Sequence, residues 1–325
     1  MTQIKKGTFN RKLLATAILA PMILVAGCSD NDGSPLPSEQ LPTGETSGFA
    51  YDGYLVGATV CVDVNLNKAC DADEPSTTTG EGGQFELVAL TEAQLLTPLV
   101  LEANENTVDE DTGEAVDPNL KFLAPAGSKA VSALSTVIQV KVEQAIAAAV
   151  AAGEEFSLEN LKTQATNELA DQLGVSGTDL TSFDPIAETE EGATNGDKLN
   201  AAKLHLANKV LSQQIATLIP DATAIASANS LSETAAVTAA IASLDIVNVE
   251  EAVRKYASGT SDPATIGDFT ADDVAGGGDL IAPEVDVTDL EAAAEIESTV
   301  QDAIEAEIEE EVNAEPTGAT GGTGS

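Results

Sequence analysis

The sequence predicts an α+β protein, a small β module followed by an acidic α-helical bundle. Three observations predict it. Between residues 48 and 103, short apolar stretches alternate with turn residues, the pattern of short strands. From about residue 125 the apolar positions recur at i, i+3, i+4 spacing, the pattern of helices. Acids outnumber bases 54 to 14, and with three tyrosines, seven phenylalanines and no tryptophan, Ala, Leu, Ile and Val must build any core.

The strands are expected at Tyr54-Leu55-Val56, Ala58–Val62, Gln84–Val88 and Leu99-Val100-Leu101, with an acidic loop over 104–120. The first helix keeps Leu134, Val137, Ile138, Val142, Ala145, Ile146 and Ala149 on one face. Ser157 reads as an N-cap for a second helix, which carries Leu158, Leu161, Ala165, Leu169 and Leu173 and closes at Gly174. A third helix is expected from Leu199 to Ile219, with Pro220 stopping it. Alanine-rich helices follow near 230–243 and 248–258, then a joint at Gly276-Gly277-Gly278. A last helix over 288–313 starts on a Thr288–Glu291 capping box and shows an almost wholly acidic polar face. The expected organisation is a leader over 1–27, a disordered tether over 28–47, a β module over 48–120, a helical part over 121–260, a linker over 261–287, the acidic helix over 288–313, and a Gly/Thr-rich disordered tail over 314–325.

The leader carries Lys5, Lys6, Arg11 and Lys12, an apolar run from Leu13 to Val25, and the ending Val25-Ala26-Gly27-Cys28. A charged start, an apolar middle and small residues at the cut describe a secretory signal. The run is short of the roughly 20 apolar residues that a membrane span needs. The ending resembles the lipobox of bacterial lipoproteins. That resemblance implies acylation of Cys28, cleavage before it, and a lipid anchor. Ser29 directly follows the cysteine, which in that family implies the outer membrane.

Charge excludes some partners. The leader holds four basic residues and no acid, so the chain from Cys28 onward has ten bases against 54 acids, and Arg254 is its only arginine. Such a chain repels phosphate backbones, so nucleic acid is excluded as a partner. Divalent cations are the natural partners. Sugar platforms, which need exposed aromatics, are not expected.

The strongest local signal is the run Asp63-Val64-Asn65-Leu66-Asn67-Lys68-Ala69-Cys70-Asp71-Ala72-Asp73-Glu74. Oxygen side chains fall at positions 1, 3, 5, 9 and 12 of a twelve-residue loop, the EF-hand-like arrangement that gathers oxygens around Ca²⁺. Glu74 is the expected bidentate ligand. Asp63, Asn65 and Asn67 give one oxygen each, Ala69 its carbonyl, and Asp71 acts through water. The sharp-turn glycine of such loops is replaced by Lys68, at a cost of order 1 kcal/mol in a left-handed conformation. The preceding Val60-Cys61-Val62 reads as a strand, so the loop sits on a β scaffold. Cys61 and Cys70 bracket it. In an oxidising compartment a disulfide between them is expected; two buried thiols or a soft-metal site are the alternatives.

From Asp52-Gly53 through Val60-Cys61-Val62-Asp63, Asn65, Asn67, Asp71 and Glu74 to Thr77-Thr78-Thr79 and Gly83-Gln84-Phe85, the course of residues 48–103 resembles the calcium-binding B-type repeats of large bacterial surface adhesins. More loosely it resembles the carboxypeptidase-regulatory-like β-sandwich. The resemblance implies a Ca²⁺-stiffened β-sandwich used as a spacer or adhesion element.

Enzyme chemistry is not expected. The single histidine, His205, lies between Leu204 and Leu206 on a helix and reads as a partly buried helix-face residue. A Ser–His–Asp triad has no other histidine to use. No nucleophile elbow, phosphate loop or dinucleotide fingerprint occurs. The acidic run Asp109–Glu114 lacks metal-ligand spacing and reads as a solvated loop. The expectation is a lipid-anchored envelope protein acting in adhesion, biofilm or envelope interaction, with a protein or matrix partner. The alternative is an accessory lipoprotein of an outer-membrane transporter for apolar solutes, its alanine-rich helices lining an apolar groove.

Overall fold

A computed structural model describes residues 44–313; Cys28, the lipobox, the tether up to 43 and the tail from 314 lie outside the described residues. The strands, in chain order, are β1 Gly44–Ala50, β2 Leu55–Val56, β3 Thr59–Val62, β4 Ser76–Thr78, β5 Gln84–Leu90, β6 Leu99–Glu102, β7 Val108–Asp109, β8 Lys121–Ala124 and β9 Ala130–Val131. They form three small sheets, ordered β5-β1-β9, β2-β7 and β4-β3-β6-β8. β1 runs antiparallel to β5 and parallel to β9. β3 runs antiparallel to both its neighbours, with Cys61 opposite Val100 and Ser76. The described residues thus form a mixed α+β protein with small sheets and several helices.

Several strand boundaries differ from the sequence expectation. Gly44–Ser47 belong to β1 and not to the tether, and Thr46 and Ser47 pair with Leu87 and Glu86. Their Gly-Glu-Thr-Ser composition offers no apolar alternation, so main-chain pairing makes the strand. Gly48 is needed there, because a Cβ would lie 2.0 Å from the Lys129 carbonyl oxygen. β7 falls inside the expected acidic loop, and Asp109 is buried. Residue 120 does not end the strands. β8 pairs with β6 along Leu99↔Ala124 to Glu102↔Lys121 and is buried throughout, so it shows no two-residue alternation to read.

The helices are α1 Glu92–Leu95, α2 Ala133–Ala152, α3 Leu158–Gln172, α4 Pro185–Glu191, α5 Asn195–Asn229, α6 Glu233–Ala242, α7 Ile246–Ala257, α8 Pro263–Gly267, α9 Ala271–Gly276 and α10 Val287–Asn313. α2 opens on a reciprocal box between Ser132 and Ser135 and ends at Gly153, whose φ of 70° suits glycine. The hydroxyls of Ser135 and Thr136 also tie the start of α2 to Leu123 of β8.

Three helix expectations are corrected. α5 runs through Pro220 to Asn229. Proline removes one helical donor there, but Leu218, Ile219, Ala222 and Ala226 remain buried, and packing against α6 carries the helix on. Ser157 is the N-cap of α3 as expected, its main-chain carbonyl accepting from the Leu161 amide (3.0 Å), although its side chain makes no capping bond. α10 is capped by Asp286, which accepts from the Thr288 and Asp289 amides, while Asp289 accepts from the Asp286 amide; Thr288 and Glu291 do not form the box. The expected linker over 261–287 contains α8 and α9, capped by Asp262 and Thr270, with Ile266 and Val274 buried.

One hydrophobic core joins strands and helices, from Ala50 and Leu55 through Leu134 and Ile138 to Ile304 and Ile308. Among the described residues α2 alone is long and apolar enough to cross a membrane, but 61% of its apolar window is buried in this core.

Candidate functional site

The Asp63–Glu74 loop leaves the end of β3 and returns at β4. The Asp63 amide donates to the Pro98 carbonyl (2.9 Å) and the Val62 amide to the Pro75 carbonyl (3.0 Å), so both ends are pinned. Inside the loop, short polar side chains accept from amides further along. Asp63 takes the Asn67 amide on Oδ1 (2.9 Å) and the Lys68 amide on Oδ2 (3.0 Å). Asn65 Oδ1 takes the Asn67 amide (3.1 Å), and Asn67 Oδ1 the Ala69 amide (2.8 Å). Glu74 reaches back across the loop, its Oε1 accepting from the Val64 amide (2.7 Å) and its Oε2 from the Asp71 amide (3.1 Å). Asp71 Oδ2 accepts from the side-chain amides of Asn65 (2.7 Å) and Asn67 (2.8 Å). The residues expected to bind a cation therefore fold onto one another. Leu66 and Lys68 take left-handed φ of 58° and 61° to close the turn.

Asp63 is 3% exposed. Burial pushes its carboxyl up to about 6; the Lys68 amide opposes this and the nearby charge of Glu74 adds to it. Carboxylates held this way retain free lone pairs, since each can accept about four hydrogen bonds. With two amide oxygens and the Ala69 carbonyl, the set is all oxygen, the chemistry of a hard cation. Among the described residues no three of His, Cys, Asp and Glu gather as a metal cluster, so amide and main-chain oxygens would have to supply much of the coordination.

Cys61 and Cys70 form a disulfide with a Cα–Cα distance of 5.6 Å, fastening the middle of the loop to β3.

The outer side of the loop is clamped by residues far away in sequence. The Lys68 ammonium pairs with Glu143 of α2 at 2.9 Å, the two side chains being 9% and 8% exposed. Gln139 donates to the other Glu143 oxygen (2.9 Å). Lys121 of β8 donates to the Lys68 carbonyl (2.7 Å), and Thr234 of α6 to the Asn67 carbonyl (3.1 Å). Gln301 of α10 donates to the Asn65 carbonyl (3.2 Å). Sequence reasoning found the loop but none of these partners. The one available signal was the presence of Lys68 and Lys121 in a chain with few lysines.

His205 lies on α5, 4% exposed, with Nε2 donating to the Asp52 carbonyl. Burial holds its pKa down to about 3, so it is a neutral imidazole fixing the β1–β2 turn. That turn also explains Asp109, which accepts from the amides of Gly53, Asp111 and Thr112. A Cβ on Gly53 would lie 2.3 Å from Asp109 Oδ1.

A second feature is a groove of about 300 Å³ between α1, α2, α3 and α10, lined by Leu95, Leu96, Val142, Leu158, Lys162 and Ile304. Lys162 donates to the Ala126 carbonyl (2.8 Å) at its wall.

Comparison with protein-family models, characterised proteins and solved structures finds no match.

Proposed function

We propose that this chain is a non-enzymatic, lipid-anchored envelope protein of the outer membrane, in which Ca²⁺ held by the Asp63–Glu74 loop stiffens a β-sandwich-like module used in adhesion, biofilm or envelope interaction. The observation that carries the reading is the inward fold of Asp63, Asn65, Asn67, Asp71 and Glu74, with Lys68 taking the left-handed turn that such loops require. Bound Ca²⁺ would supply the positive charge that this group of carboxylates lacks. Glu74 would give two oxygens, Asp63, Asn65 and Asn67 one each, Ala69 its carbonyl, and Asp71 would act through water. The Cys61–Cys70 disulfide pre-orders the loop and lowers the entropy cost of closing it on the ion. The test is a calorimetric titration of Ca²⁺ into the processed chain. Saturable binding that disappears in an Asp63→Ala, Glu74→Ala variant supports the reading; no binding at millimolar Ca²⁺ overturns it.

The groove beside Leu95 and Val142 favours a second reading, an accessory role to an outer-membrane transporter of apolar solutes. Its volume is at the lower end for a small-molecule site. Binding of a fluorescent fatty acid that is lost in Val142→Asp would support this reading, and failure to bind would remove it.

A further inference from the structure

We propose that cation occupancy of the Asp63–Glu74 loop is coupled to the seating of α10, so that the C-terminal helix is a calcium-controlled latch, held where Gln301 meets the Asn65 carbonyl. The proposal rests on the calcium reading above and adds to it the element that the ion would control.

The contact is specific in geometry. The side chains of Asn65 and Asn67 turn into the loop, so their carbonyls face outward, where Gln301 of α10 and Thr234 of α6 donate to them. Leu66, between the two asparagines, lines a void of about 20 Å³ with Ile296, Val300 and Ile304 of α10. Any rearrangement of the loop therefore moves both the polar and the apolar seat of the helix.

Electrostatics oppose that seating. Residues 287–313 carry ten acids and no base. The loop beneath them carries Asp63, Asp71, Asp73 and Glu74, and its one cation, Lys68, is already paired with Glu143. At physiological ionic strength the screening length is about 8 Å, so the acids of α10 that bear on the loop are those beside it, Glu297, which lines the same void as Asp63, and Glu305, which accepts from Gln301. A divalent cation in the loop would remove two units of that repulsion and fix the Asn65 carbonyl in place.

What holds α10 otherwise is an apolar stripe, Leu290, Ala293, Val300, Ile304 and Ile308, and the hydrogen bond from Ser232 to Glu297. Release of the helix would uncover this stripe together with the groove at Leu95 and Val142, which Ile304 helps to line. By linkage the coupling is reciprocal, so weakening the seat of α10 must weaken cation binding by the same factor.

Hydrogen exchange of the processed chain with and without Ca²⁺, at matched ionic strength and beside calorimetry on the same material, tests this. Saturating Ca²⁺ should slow exchange of the α10 amides about tenfold, while amides of α2 change little. The Asp63→Ala, Glu74→Ala variant should lose the effect, and Gln301→Ala should bind Ca²⁺ several-fold more weakly. Saturable Ca²⁺ binding with unchanged α10 exchange overturns the latch and leaves the calcium reading standing. Absence of binding overturns both.

Discussion

Removing Glu143 should destabilise the protein more than any exposed acid does. Its carboxylate meets the Lys68 ammonium at 2.9 Å, and both side chains are almost out of solvent. At that separation the attraction is about 6 kcal/mol for an effective dielectric of about 20. Desolvating the two ions costs several kcal/mol each, so the intact pair is close to neutral in net stability. The balance changes when one member is deleted. Glu143→Leu leaves the Lys68 ammonium buried without its ion-pair partner and Gln139 without its acceptor. The expected cost is about 3–5 kcal/mol. In a chain of this size that lowers the melting temperature by about 10 °C. Lys68→Met with Glu143→Leu removes both charges together and should recover most of the loss. The assay is urea unfolding followed by circular dichroism on the wild type, both single variants and the double variant, with the coupling taken from the cycle. Single variants that each cost under about 1 kcal/mol, with no coupling between them, would refute the reasoning and show that water reaches the pair.

Three further outcomes are expected. Replacing Cys61 and Cys70 with serine removes the loop closure and should cost about 2–3 kcal/mol, read as a lower urea midpoint under oxidising conditions that reductant does not lower further. Asp52 gives a pH dependence: burial pushes its carboxyl up to about 7, and the nearby charge of Asp109 adds to this. A raised acid contributes stability below its unfolded value near pH 4 that is lost as pH rises through about 7, so Asp52→Asn should match wild type at pH 4 and exceed it at pH 8 by about 1–2 kcal/mol, with solvent at the half-buried carboxyl allowed for. Finally, Cys28→Ser in cells should abolish radiolabelled palmitate incorporation and shift the protein from the membrane to the soluble fraction, while unchanged fractionation would remove the lipid anchor from the reading.

The sequence exposed local features and hid distant ones. The helical stripe Leu134, Val137, Ile138, Val142, Ala145, Ile146 and Ala149 was legible from its spacing; its large members are buried, Ala145 and Ala149 are half-buried, and the first two turns of the helix are buried on every side, which the spacing did not show. The strands at Thr59–Val62 and Leu99–Glu102 were legible from their apolar runs. β1 was not, because its pairing with β5 is made by main-chain groups of residues with no apolar pattern. The course of α5 beyond Pro220 was not, because burial of Ala222 and Ala226 against other helices outweighs a local penalty that the sequence shows alone. At the loop, spacing revealed which side chains could converge. The clamp of Glu143, Thr234 and Gln301 was hidden, since those residues lie between 75 and 236 positions from their partners along the chain.

The position of β1 gives the molecule a mechanical order. It is the first described element, and it lies between β5 and β9, antiparallel to one and parallel to the other. A pull on the chain ahead of Gly44 meets β1 before any other element. β9 runs directly into the first turn of α2, which packs on β8. Tension arriving from the amino end is therefore borne first by hydrogen bonds on both edges of one strand, in shear along β5 and β9.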